Sequence, residues 1–348
     1  MLTFKKVLLS VILFIFIVGG ISFIVVTPYL NSHMDYNQDG DILNDMAGNI
    51  DFMVVGASHA MCSYVPQVLD EELGVVSYNF STTLMPLSAR YVMLEKELPR
   101  NPVKTVVLEV SYDNLQRSIS EDYGWGENIM FSRLSTWEDR LSYLFKYVKP
   151  DQWLDIYSRT MNSGLTAWKD IFLSVDGKVA NNTAPVNKGF FPRTSIDISM
   201  NEEKFEEIYQ TKSCMMGFQK ENLDLFRKII SLCHEYDAEV IIAISPCADS
   251  YIYKYDDLDE FDAWMKEFAT ENRCDFYNFN LIKDRFEIFN DKTSFWDGPH
   301  MSEQGARDFS KKFSALMKSA EAGENMSQFF YPNYEELTKN SPYYQYIE

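Results

Sequence analysis

Five short apolar runs punctuate the chain, at 51–55, 75–80, 103–110, 238–245 and 275–279. The strongest of them are apolar at consecutive positions rather than alternate ones, as in Phe52-Met53-Val54-Val55 and Val240-Ile241-Ile242-Ala243-Ile244. A strand apolar on both faces is covered on both, which is the habit of parallel sheets. Helical periodicity fills the gaps, at 65–73, 89–98, 223–236, 261–270 and from Ser302 onward. Gly74 is a good residue to end the first of these helices and Ser302 a good cap to begin the last. In that last helix Ala306, Phe309, Phe313 and Leu316 recur at helical spacing and predict a face packed on the sheet. Strands alternating with helices predict an α/β fold, a three-layer α/β/α sandwich around a central parallel sheet.

The pattern also sets the domain organisation. Val7 to Val26 is a run of 20 residues without charge, long enough to cross a bilayer. Lys5 and Lys6 precede it, and after it no Lys or Arg occurs before Arg90, whereas Asp35, Asp39, Asp41, Asp45 and Asp51 do. This asymmetry predicts one N-terminal transmembrane helix in residues 1–30, with the N-terminus cytoplasmic and the main domain outside. A cleaved signal peptide is the competing reading, disfavoured because the run is long and no Ala-x-Ala site follows it. Residues 31–50 read as an acidic juxtamembrane linker that includes His33. The stretch Asp35 to Asp41 has the oxygen spacing of a calcium loop, but the twelfth position is Met46 where a carboxylate is needed, so a solvated linker is favoured. Residues 51–322 form the expected α/β domain. Residues 113–217 interrupt it as a helical insertion after the third strand. The insertion carries four of the six tryptophans, Trp125, Trp137, Trp153 and Trp168, with helices expected at 134–147 and 153–172. Those tryptophans either fill the core of a helical cap or line a cleft for sugar rings. In its loop 187–193, Lys188 and Arg193 are candidates to hold a substrate anion. The tail, 323–348, is polar and tyrosine-rich, and either packs on the domain or stays free.

Composition narrows the functional classes. A net charge of −19 excludes a nucleic-acid surface, which must be basic. The cysteines, Cys62, Cys214, Cys233, Cys247 and Cys274, are odd in number and include no Cys-x-x-Cys pair, so neither a disulfide framework nor a zinc site is indicated. No Walker loop, Gly-x-Gly-x-x-Gly or His-Glu-x-x-His motif is present, and no metal or cofactor is expected.

Candidate chemistry lies in two blocks. In Gly56-Ala57-Ser58-His59-Ala60, Ser58 follows the first strand, where it either caps the next helix or presents its hydroxyl at the sheet edge that binds ligands. In Trp296-Asp297-Gly298-Pro299-His300, one of only four histidines stands three residues after an aspartate, just before the last helix. A serine nucleophile needs a base, and the base needs an orienting group; Asp297-x-x-His300 supplies both. A histidine base predicts activity that falls in acid. His59, beside Ser58, is assigned no chemistry, since adjacent side chains on a turn diverge, and His234 reads as structural.

Together these blocks resemble the SGNH (GDSL-type) hydrolase superfamily. The Gly-Ala-Ser-His-Ala version is most similar to its membrane-anchored branch, which includes the alginate O-acetylation and D-alanyl-lipoteichoic acid transfer proteins. The resemblance implies a serine acyl-esterase or O-acyltransferase with Ser58 as nucleophile, His300 as base and Asp297 as orienter. It further implies an acylated glycan or teichoic-type polymer as substrate and a membrane O-acyltransferase as partner. Two departures stand out. The second block, Asn79 to Leu84, lacks the glycine whose amide completes the oxyanion hole, so the backbone of Thr83 is the stand-in beside that of Ser58. The third block reads Glu109-Val110-Ser111-Tyr112-Asp113-Asn114, with Asn114 out of register. These departures leave a second reading, a non-catalytic scaffold that recruits polymer or an acyltransferase.

Overall fold

The computed structural model describes residues 4–33, 46–110, 114–116, 130–131, 134, 137–153, 155–156, 187–199, 202–210, 213–214 and 216–342. The expected calcium-like loop, most of the 153–172 helix, and Trp125 and Trp168 lie outside these residues. The chain forms two compact units, one of residues 1–42 with 123–185, the other of 43–122 with 186–348.

In the first unit, α1 runs from Phe4 to His33. Its apolar side chains Leu9, Phe14 and Phe16 face outward, and the side chains of 21–33 lie outside the described residues. Among the described residues no helix is long and apolar enough to cross a membrane. A further helix spans Trp137–Tyr147. The Trp153 indole packs edge-on against Phe145, with ring centroids 5.0 Å apart, and donates to the Val148 carbonyl at 3.0 Å, so this tryptophan is held by its own unit.

The second unit holds a five-stranded sheet of β1 (Phe52–Val55), β2 (Ser77–Asn79), β3 (Thr105–Glu109), β4 (Glu239–Ile244) and β5 (Asp275–Asn278). All pairings are parallel and the order is β2-β1-β3-β4-β5. Consecutive residues feed opposite faces. Met53, Val55, Val106, Leu108, Val240, Ile242 and Ile244 enter one core, while Phe52, Val54, Val107, Ile241 and Ala243 enter the other. The first core is closed by helices Leu87–Glu97, Lys220–Glu235 and Leu258–Glu271. The second is closed by helices Pro66–Leu73 and Glu303–Glu321, with Gly74 ending the former in the left-handed region as its position predicts. The continuous apolar runs thus mean what they imply, a sheet covered on both sides. β2 and β3 lie on opposite sides of β1, so the chain reverses direction across the sheet at the β1/β3 boundary, the switch point where α/β sheets leave a crevice.

Some elements differ from the pattern. A six-residue helix, Ser58–Ser63, precedes the expected one. It is too short to show a period, and it stops because Ser310 intervenes: the Ser310 hydroxyl donates to Ser63 O (3.2 Å) and accepts from the Val65 N–H (2.9 Å). Helix Glu202–Gln210 is also absent from the periodic reading. The insertion is narrower than expected, since residues 186–217 belong to the sheet unit. The tail, to the extent described, packs: Tyr334 and Leu337 are buried, and Asn278 donates to the Tyr334 hydroxyl at 2.8 Å.

Replacing Ser310 by Ala removes the hydroxyl that satisfies two buried backbone groups. A loss of about 1–3 kcal/mol in unfolding free energy is expected, read from urea denaturation of the variant.

Candidate active site

Ser58 and the Asp297–His300 turn, 242 positions apart at their hydrogen bond, converge at the switch point. Ser58 opens its short helix directly after β1, and Gly56 between them is packed too tightly for a side chain. A Cβ on Gly56 would lie 2.5 Å from the Ala60 Cβ and 2.8 Å from the Glu109 Cβ. The Ser58 hydroxyl donates to His300 Nε2 at 2.7 Å. His300 Nδ1 lies 2.8 and 3.0 Å from the two Asp297 oxygens. A carboxylate only accepts, so the imidazole proton sits on Nδ1 and Nε2 is left to accept from Ser58. The Asp297 carboxylate also accepts the His300 backbone N–H at 2.8 Å, and Trp296 N–H closes the turn on His300 O at 3.0 Å.

The last helix places this turn. Ser302 caps it by accepting the Gly305 N–H at 3.1 Å, and Ser302 N–H bonds back to Ser294 O at 3.0 Å. Gly305 lies so close to that loop that a Cβ would stand 2.1 Å from the Ser294 carbonyl oxygen. Ser58, Asp297 and His300 are all half-buried, open enough for a substrate to reach.

On the acceptor side, the first intrahelical bond runs from Met61 N–H to Ala57 O, so the Ser58 N–H has no intrahelical partner and is free to serve as an oxyanion donor. Thr83 lies on the same sheet edge in the turn after β2. Leu84 beside it holds a φ of 50°, a conformation that glycine adopts without strain. Asn114 is drawn away from this role, because the buried Arg90 donates to its side-chain oxygen at 2.6 Å.

Other residues fall differently from their expected places. His59 does not diverge from the site. A helix beginning at Ser58 turns its ring inward, edge-on to His300 with centroids 5.2 Å apart, and puts its Nδ1 3.9 Å from Glu109. Glu109 is fully buried and accepts the Ala57 N–H at 3.5 Å. It stands at the end of β3, where the third block was expected to supply an asparagine. Neither His59 nor Glu109 shows a sequence signal beyond its place in these blocks. Lys188 is not brought to Ser58: its ammonium pairs with Asp70, which also accepts from Ser77 N–H at 2.8 Å. Arg193 lies with its guanidinium carbon 4.4 Å from the Trp296 ring centroid, next to the Asp297 turn. The Cys62 thiol, facing Arg193, is pushed up to about 11 by burial, with the guanidinium acting the other way, so it is no thiolate nucleophile at neutral pH. All five cysteines are free. Among the described residues no cluster suited to a metal ion occurs.

No family model matches the chain, and no curated protein matches it. Among solved structures, a candidate lipolytic protein of the G-D-S-L family from Desulfitobacterium hafniense DCB-2 aligns with a TM-score of 0.34 and 11% identity, over 77% of this chain and 99% of that one.

Replacing Gly56 by Ala forces the new methyl against Ala60 and Glu109. A loss of about 1–3 kcal/mol in stability is expected from overpacking, together with weaker reaction of Ser58 with a serine-directed probe in the fraction that folds. Thermal unfolding and probe labelling check both.

Proposed function

We propose that this protein is a serine acyl-esterase or O-acyltransferase of SGNH type. The observation that carries the reading is the unbroken hydrogen-bonded chain from Ser58 through His300 to Asp297. His300 takes the Ser58 proton as the oxygen attacks an ester carbonyl, and Asp297 holds the imidazole in the tautomer that allows it and stabilises the imidazolium formed. The Ser58 N–H, with a backbone donor near Thr83, receives the oxyanion. The alcohol leaves with the proton from His300. Water then regenerates Ser58 in an esterase, and an acceptor hydroxyl does so in a transferase.

The same reading places the enzyme on the outer face of a membrane, anchored by the helix that contains Val7–Val26. Its support is the uncharged length of that run, the outward-facing apolar side chains and the charge asymmetry around it. Its substrate would be an acylated surface glycan or teichoic-type polymer, with a membrane O-acyltransferase as the matching partner.

The full-length protein is expected to react with a fluorophosphonate and to hydrolyse 4-nitrophenyl acetate. Ser58→Ala and His300→Ala should each lower kcat by about 10³-fold or more. A folded wild type that neither labels nor turns over supports the scaffold reading instead. For the anchor, deleting residues 1–30 should move the protein from the membrane fraction to the soluble one; retention in the membrane overturns that part.

A further inference from the structure

Arg193 has the setting of a ligand contact rather than of a structural ion pair. The loop that carries it is tied down on both sides. Phe191 N–H bonds to Met61 O in the Ser58 helix at 3.0 Å, and Glu303 N–H at the start of the last helix bonds to Arg193 O at 2.8 Å. The guanidinium carbon lies 4.4 Å from the ring centroid of Phe191 and 4.4 Å from that of Trp296. The Trp296 ring is in turn 5.8 Å from the His300 ring, so the cation is fixed at the rim of the Ser58 site.

Rings hold a guanidinium by its faces and leave its N–H donors pointing outward along its edge. Several sequestered cations of this unit pair with carboxylates, whereas the buried Arg90 donates to the Glu109 carbonyl and the Asn114 side-chain oxygen, both at 2.6 Å. Arg285 meets Asp249 at 2.7 Å, and Lys188 and Lys312 meet Asp70 and Asp284. Arg193 has no carboxylate at ion-pair distance among the described residues, although the chain carries a net charge of −19, and its Nε, shielded from solvent, has no oxygen acceptor and only the weakly accepting Cys62 thiol nearby. The outer N–H groups of the guanidinium edge are donors that no carboxylate among the described residues takes up, and an acceptor brought by a ligand would complete them. We infer that Arg193 is a specificity residue that binds a carboxylate or phosphate carried by the ester substrate itself, in the fork geometry that guanidinium groups offer to such anions. The inference rests on the acyl-transfer reading of Ser58 and His300 and adds to it the charge of the molecule that enters.

Three acetyl esters of one shape test it on the full-length protein: 4-acetoxybenzoate, 4-acetoxyphenyl phosphate and the neutral 4-acetoxybenzamide. The wild type should favour at least one anionic ester over the amide by about 10- to 100-fold in kcat/KM, mainly through KM, as expected for a charge-assisted contact. Which of the two anions gains more tells carboxylate from phosphate. In Arg193→Gln the preference should fall to about one, and Arg193→Lys should restore part of it. An unchanged preference in Arg193→Gln, or an equal loss on all three esters, overturns the inference and leaves the hydrolase reading standing. If the wild type turns over none of them, the hydrolase reading falls. The Arg193 contact is then judged by ligand-observed NMR of 4-acetoxybenzoate and the phosphate against the amide on Ser58→Ala and on Ser58→Ala/Arg193→Gln. Tighter anion binding that Arg193→Gln abolishes supports it, and equal binding in both variants overturns it.

Discussion

The seating of the last helix, Glu303–Glu321, is the constraint on which the site depends. Its first turn is pressed against the Ser294 backbone through Gly305, which fixes the direction in which the Asp297–His300 turn leaves it. Two turns further on, Ser310 reaches the break between the Ser58 helix and the next one. Phe309 and Phe313 flank that hydroxyl and pack on Tyr64, with centroids 5.1 and 5.3 Å away. One rigid rod therefore positions His300 just ahead of its start and the Ser58 helix along its side. Side chains locked by packing on regular elements hold a reacting geometry better than residues on free loops.

The sheet was readable because burial on both faces leaves no room for alternation: β1, β3 and β4 are apolar at nearly every position, and their bounds fall within a residue or two of the runs. Ser302 and Gly74 were readable because capping chemistry is local. The Ser58 helix was not, since six residues give no period and the residue that stops it, Ser310, is 247 positions from the Ser63 carbonyl it meets. At the site, Asp297 and His300 were visible as a pair within one turn. The inward turn of His59 follows from a helix start that only tertiary contact defines. Lys188 and Arg193 looked equivalent as two cations in one loop. Asp70 engages the first and two aromatic rings the second, and neither partner is near in sequence.

Glu109 shows how a departure from a pattern can be replaced by a different arrangement. A wholly buried carboxylate under the Gly56–Ser58 turn is unfavourable alone. Here it faces His59 and the Ala57 N–H, and Gly56 supplies the room. The turn that presents Ser58 is thus braced from below by β3, while Asn114 is taken up by Arg90.

The hydrogen bond from Ser58 to His300 spans 242 positions. During synthesis, β1 and the serine emerge long before the histidine they meet, and the last helix must be complete before that histidine can dock. Until then Ser58 lacks its hydrogen-bond partner. The pairing is thereby coupled to completion of the fold, and under the proposed function a nascent or misassembled chain would carry no activated serine.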